Sequence, residues 1–228
     1  MACSILQPVG PRRRFALARA DLAGLRTTAH RHGGTVNDVL LTAVAGALHT
    51  LLERRGEPIE AFRIAVMIAR RRASAGTLGN QVAPLLVGVP GAGAAAERLT
   101  RIAGTVRAER SSAAGRPLDA VPQPLLRVLA VAGLYRLYMN HQRRLHALVS
   151  NVHGPYRPLT FANAAIAAVI PVSVAEPGNL TVTFVALSYA GTLTVTIIAD
   201  PDRVPDLPVL TAALQTELDA LTTPAPDL

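Results

Sequence analysis

The segment Gly33–Gly56 constrains this fold more than any other, because its apolar pattern fits only one element and needs a partner layer. Val36, Val39, Leu40, Ala43, Val44, Ala47, Leu48, Leu51 and Leu52 recur at three-four spacing, the mark of one helix face. Thr35 is a good N-cap, and Asp38 sits where a carboxylate meets the positive end of a helix. Arg54, Arg55 and Gly56 close the far end with cations and a residue that tolerates positive φ. A stripe this wide must be buried, so strands must lie against it. The first turn also carries Asn37-Asp38, two polar groups at the mouth of an apolar element. Either Asp38 caps while Asn37 faces solvent, or the pair lines a cleft.

Composition narrows the class. Of the 228 residues, 50% are hydrophobic and 17% charged, a globular balance. Arg or Pro interrupts each apolar run before the ~20 residues that a spanning helix needs. Met1–Arg14 lacks the features of a secretory signal, so a cytoplasmic location is expected. Cys3 is the only cysteine, so no internal disulfide or cysteine-based metal site is expected. The six histidines do not cluster with carboxylates, and no resident metal is expected. His49 and Glu53 are one turn apart and read as a polar pair. The net charge of +8 comes from arginine alone, with clusters at Arg12–Arg14, Arg70–Arg72 and Arg143-Arg144. Such a surface attracts nucleic acid, anionic lipid or phosphorylated ligands. Four Phe, four Tyr, no Trp and no reader motif argue against nucleic acid.

Residues 1–13 read as a loose lead-in, 14–222 as the domain and 223–228 as a tail. Arg14–Ala20 alternates as a strand with Phe15 and Leu17 on one side, and Asp21–His32 reads as a helix with Leu22 and Leu25 inward. Phe62–Ala69 is a strand, Arg70–Asn80 a polar loop, and Val82–Val89 an apolar run expected to be covered on both faces. Ala94–Ala114 is a helix with Leu99, Ile102 and Val106 inward. A second helical region, Pro124–Arg144, bends near Gly133. Leu145–Val152 and Ala165–Val174 read as strands. Leu180–Tyr189 and Thr192–Ala199 form the clearest hairpin, around Ala190-Gly191, and Pro205–Leu221 is the closing helix. Mixed strands and helices with one strong hairpin predict an α/β (α+β) domain with a mixed sheet and helices packed on it.

Several chemistries lack their signatures. Without lysine there is no Gly-x-x-x-x-Gly-Lys phosphate loop. No Gly-x-Ser-x-Gly elbow surrounds Ser150. Ser150–Pro155 is more suggestive, because a buried-looking strand ends there in small, polar and turn-forming residues. It is either an ordinary exit into a loop or a place where backbone groups meet a ligand.

Four segments together carry a resemblance: Thr35–Val39, Leu78-Gly79-Asn80, Val149–Pro155 and Leu187–Gly191. In order and spacing the chain resembles, from about Pro8 to Leu221, the C-terminal half of bacterial wax ester synthase/diacylglycerol acyltransferases. The resemblance implies one lobe of a two-lobe fold like that of chloramphenicol acetyltransferase. It implies acyl-CoA as co-substrate, with no further cofactor, and a diacylglycerol or long-chain alcohol acceptor, the two meeting in a tunnel between lobes. In that family a histidine of a His-His-x-x-x-Asp-Gly motif in the N-terminal lobe takes the acceptor's proton. The resemblance places Asn37 and Asp38 at the lobe interface, Gly79 and Asn80 at a turn beside it, and Ser150, Asn151, Gly154 and Pro155 in the loop facing the other lobe.

This chain departs from the pattern twice. It contains no adjacent histidine pair, and none of its histidines has Asp four residues later, so no catalytic residue is assigned within it. His153 stands where the family usually has proline, either as drift in a loop or as an imidazole near the tunnel. The expectation is an acyltransferase half that needs an N-terminal lobe or companion chain, with acyl-CoA and neutral lipid as ligands and peripheral contact with a membrane or lipid droplet. The alternative is a catalytically silent protein of lipid surfaces, motivated by the arginines in Pro124–Arg144.

Overall fold

The computed structural model describes residues 3–69, 82–113, 134–173 and 178–222. In chain order the elements are β1 (Arg14–Asp21), α1 (Leu22–Arg31), α2 (Val36–Arg54), β2 (Ala61–Ala69), β3 (Val82–Pro90) and α3 (Ala95–Ala113). They continue with α4 (Tyr135–His141), β4 (Ala147–His153), β5 (Thr160–Phe161), β6 (Ala164–Ala165), β7 (Val182–Tyr189), β8 (Thr192–Ala199) and α5 (Leu207–Thr222). Six strands form one mixed sheet in the order β1-β8-β7-β4-β2-β3. β4 runs parallel to both β2 and β7, and the remaining pairs are antiparallel. The expected mixed sheet with packed helices is present.

Helix α2 is the centre of the helical layer and touches α1, α3 and α5. Its stripe from Val39 to Leu52 is buried against the inner faces of the strands. The Asp38 carboxylate accepts hydrogen bonds from the Thr35 N–H (2.7 Å) and hydroxyl (2.8 Å), so the predicted N-terminus is built as expected. The layer is also pinned by Arg98 of α3, only 2% exposed, which donates to the Thr42 carbonyl of α2 and the Glu217 carboxylate of α5. The hairpin β7–β8 turns through Ala190 (φ 46°) and Gly191 (φ 86°), two consecutive left-handed residues that match the twist of a two-residue hairpin. The turn is tied to α1, because the Leu22 N–H donates to the Gly191 carbonyl.

Four expectations need correction or lie elsewhere. In β1 the inward residues are Ala18 and Ala20, while Phe15 is half exposed. Both faces of this strand are apolar, so alternation could not choose between them; α5 packs on this edge, and short side chains allow its approach. β3 is an edge strand with Leu85, Val87 and Val89 buried and Gly88 exposed, so it is not covered on both faces. The expected strand Ala165–Val174 is not formed over its described residues, 165–173. Only Ala164–Ala165 pairs, with Thr160–Phe161, and residues 166–173 run without a ladder partner, leaving Ile170 and Val172 exposed. Of Pro124–Arg144, Tyr135–His141 is helical and Gln142–Arg144 is not; its earlier part, the Arg70–Asn80 loop and the tail at 223–228 lie outside the described residues. No single described helix is long and apolar enough to cross a membrane, and the α1–α2 pair bends by 96°.

Candidate functional site

The inward stripes of β4, β7, α1, α2 and α3 change from apolar to polar at the same end of the sheet. Side chains two apart share a face of a strand, and those three or four apart share a face of a helix. Along β4, Ala147 and Val149 lie in the core, and Asn151 and His153 continue their face. Along β7, Phe184 and Ala186 are followed by Ser188. On α3 the sequence Leu99, Ile102, Val106 continues into Arg110, and on α1 Leu22 is followed one turn later by Arg26. On α2 the polar end is Asn37.

These endings converge on one cleft of about 250 Å³, lined by Arg26, Asn37, Arg110, Asn151, His153 and Ser188 among others. It lies beyond the carboxyl ends of the parallel strands β4 and β7, where open α/β sheets hold their ligands. No carboxylate is among the described residues that line it. Asn37 does not face solvent: its amide nitrogen is buried and has no partner among the described residues.

The remaining expected residues take different places. Asp38 is 3% exposed and caps α2; one of its oxygens is bonded to Thr35, and the other is buried without a partner. Ser150 is half-buried on the opposite strand face from Asn151, outside the cleft. Gly154 donates its N–H to the Ser188 carbonyl at 3.0 Å, and a methyl at this position would overlap that oxygen. Glycine is therefore required for the end of β4 to close on β7. Pro155 accepts from the Ala190 N–H at the hairpin turn. Gly79 and Asn80 lie outside the described residues.

Arg26, Arg110 and Ser188 were not among the expected site residues. Ser188 belongs to the quoted Leu187–Gly191 segment, whereas each arginine stands one turn past a buried apolar residue, in register with its stripe, a placement that only the fold makes visible. Arg26 lies over the Tyr156 ring at 4.6 Å, which fixes its plane at the cleft's edge.

The histidines offer no positioned base. His153 is exposed at the cleft, and no described residue orients its ring by a hydrogen bond. His146 is structural: its Nδ1 accepts the Arg63 N–H at 3.0 Å, and its ring meets Phe62 edge-on. Burial lowers its pKa below the usual histidine value, favouring the neutral ring. His49 is hydrogen-bonded to the Ile59 carbonyl at 3.0 Å.

The family model for the WS/DGAT C-terminal domain matches residues 78–222. A Mycobacterium tuberculosis protein named as a probable diacylglycerol O-acyltransferase is 30% identical over 217 residues, covering 90% of this chain and 46% of that protein. The O-acyltransferase WSD of Acinetobacter baylyi is 29% identical over 223 residues, covering 95% of this chain and 48% of its own length. The chain thus spans about half the length of these curated relatives. The structure of the wax ester synthase/diacylglycerol acyltransferase from Marinobacter aquaeolei superposes with a TM-score of 0.75 at 22% identity, over 97% of this chain and 51% of that one. That likeness shows the shared fold. The chain belongs to the WS/DGAT C-terminal domain family.

Proposed function

We propose that these residues form one lobe of an O-acyltransferase moving a fatty acyl group from acyl-CoA to a diacylglycerol or long-chain alcohol. The proton-abstracting histidine comes from outside the 228 residues. The observation that carries this reading is a polar cleft at the converging ends of the stripes that contains no oriented base. In the reaction an acceptor hydroxyl loses its proton to that histidine, its oxygen attacks the thioester carbonyl, and CoA leaves as the thiol on taking up the proton. A positioned base is worth roughly 10²–10⁴ in rate, so this lobe alone should turn over little. Asn37, Asn151 and Ser188 then act by binding acyl-CoA away from the reacting carbonyl, while Asp38 and Gly154 hold the backbone beside them.

The stretch from β4 to residue 173 supports a partner lobe. Val152, Tyr156, Leu159, Phe161, Ile170 and Val172 are all exposed, Phe161 by 77%. An apolar strip of this kind is a contact surface waiting for a cover. A second reading, a silent protein of lipid surfaces in the cytoplasm, draws on that strip and on exposed Leu137, Arg143 and Arg144.

Thiol release from acyl-CoA separates the two. The chain alone should release none above background, with or without His153→Ala. Co-expression with a His-His-x-x-x-Asp-Gly lobe should restore release in the presence of diacylglycerol. Turnover by the chain alone that His153→Ala abolishes would overturn the reading and make His153 the base. Flotation of the chain with vesicles, combined with no release even in the presence of the second lobe, would favour the silent reading.

A further inference from the structure

We infer that the cleft between α1, α2, α3 and the ends of β4 and β7 is an anion site for a phosphate ester, held by Arg26 and Arg110. Among the described residues that line it, the two that carry a fixed charge are Arg26 and Arg110. Arg110 has no hydrogen bond or ion pair among the described residues, and Arg26 uses only the face of its guanidinium, on Tyr156. The edge N–H groups of both therefore remain free. Three other arginines are neutralised by carboxylates, Arg12 with Asp202, Arg55 with Asp206 and Arg98 with Glu217, whereas these two meet on one cleft. Placing two guanidiniums on one cleft with no lining carboxylate is unfavourable unless an anion joins them.

Three further features point the same way. The positive end of α2, a helix of 19 residues, opens at Val36 and Asn37 on the same wall. The Asn37 amide is a donor with no acceptor among the described residues. His153 adds a ring that can donate to an anion. Planar guanidiniums with parallel N–H groups match phosphate oxygens better than they match a neutral carbonyl. A volume near 250 Å³ accommodates a phosphate group with part of the chain attached to it.

This rests on the acyltransferase reading only in naming the source: there, the phosphates of CoA would occupy the site and fix where the thioester arm enters. The chemistry itself stands apart from that reading, and the experiment separates them. The full chain is titrated by calorimetry with CoA, with inorganic diphosphate and with pantetheine, which keeps the thiol arm but carries no phosphate. CoA and diphosphate should bind, pantetheine should not, and added salt should weaken both. Arg26→Gln and Arg110→Gln should each cost about tenfold in affinity, the loss of one charge-assisted contact. Both residues lie at the surface, and unchanged circular dichroism and melting would exclude misfolding. Diphosphate binding without CoA binding would keep the anion site and remove its link to acyl-CoA. Equal binding of pantetheine and CoA, affinity unchanged in the double variant, or no binding of either phosphate probe at millimolar concentration would overturn the inference.

Discussion

The two ends of helix α2 are built on opposite principles. At the C-terminal end Arg55 donates through Nε to Asp206 at 2.9 Å, pairs its Nη2 with the same carboxylate, and donates through Nη1 to the Ser4 hydroxyl at 2.8 Å. Ser4 in turn donates its N–H to Glu57. Every one of these polar groups finds its partner inside the chain. At the N-terminal end, Asn37 Nδ2 and one Asp38 oxygen are buried and unpaired, and Arg110 stands nearby on the cleft without a counter-ion. An unpaired buried polar group costs roughly 1–3 kcal/mol. One end is closed by the fold; at the other, two buried polar atoms have no partner among the described residues.

The heaviest blow to the partnered side of this contrast falls between the two ends. Arg98 bridges α2, α3 and α5, and Arg98→Ala would leave Glu217 without its partner and remove the side-chain donor to the Thr42 carbonyl. Breaking a buried ion pair from one side typically costs about 3–5 kcal/mol, and a loss of that size is expected in urea denaturation. Replacing both partners, Arg98→Met with Glu217→Leu, should recover most of it. A small loss for the single variant would mean that the helical layer does not depend on its polar ties.

A milder test uses pH. The Arg55 hydrogen bond holds the Asp206 carboxyl below its ordinary value of 3.8, against burial, which pushes it up. A carboxylate whose pKa is lowered by folding adds stability that is complete above the ordinary value. That stability is lost as pH falls through the lowered, folded one. Urea midpoints should therefore drop as pH is taken below about 4, and less steeply in Asp206→Asn. At neutral pH that variant should lose about 1–2 kcal/mol, since the pair is only partly buried. Parallel acid profiles for the two proteins would remove Arg55–Asp206 from the account of the closed end.

What could be read from the sequence, and what could not, follows the same division. Helix α2, its Thr35–Asp38 cap, the β7–β8 hairpin and the leucine stripe of α5 were all legible, because each is a local pattern with its own end signals. The inward face of β1 was not, because Phe15 and Ala16 both suit an interior and only the approach of α5 decides. Residues 166–173 misled for a related reason: apolar residues there signal burial, but the sheet does not supply a neighbour. Within the site, Asn37, Asn151 and His153 were named in advance and meet at the cleft. Asp38 and Ser150 were named and do not line it. Arg26 and Arg110 are separated by more than eighty positions, and two solitary arginines among 23 basic residues carry no motif. Their positions at the polar ends of buried stripes become informative only once the sheet shows that those stripes end together.

The smallest effect bears most directly on the open end. If Asn37 is kept for binding and not for folding, Asn37→Leu should leave stability unchanged or raise it by about 0.5–2 kcal/mol. Leucine removes an unpaired buried donor and favours a helix more than asparagine does. Asp38→Ala, one residue on, should cost about 0.5–2 kcal/mol, because it removes the acceptor that holds Thr35. Two adjacent polar residues in one helical turn should thus move thermal melting in opposite directions. Phosphate-probe affinity should fall in Asn37→Leu despite its sound fold, the pattern of a group that stability alone would not retain. A loss of more than about 1 kcal/mol in Asn37→Leu would place its amide among the supports of the fold. The contrast between the helix ends would then be one of degree, with the N-terminal end closed by contacts of a weaker kind.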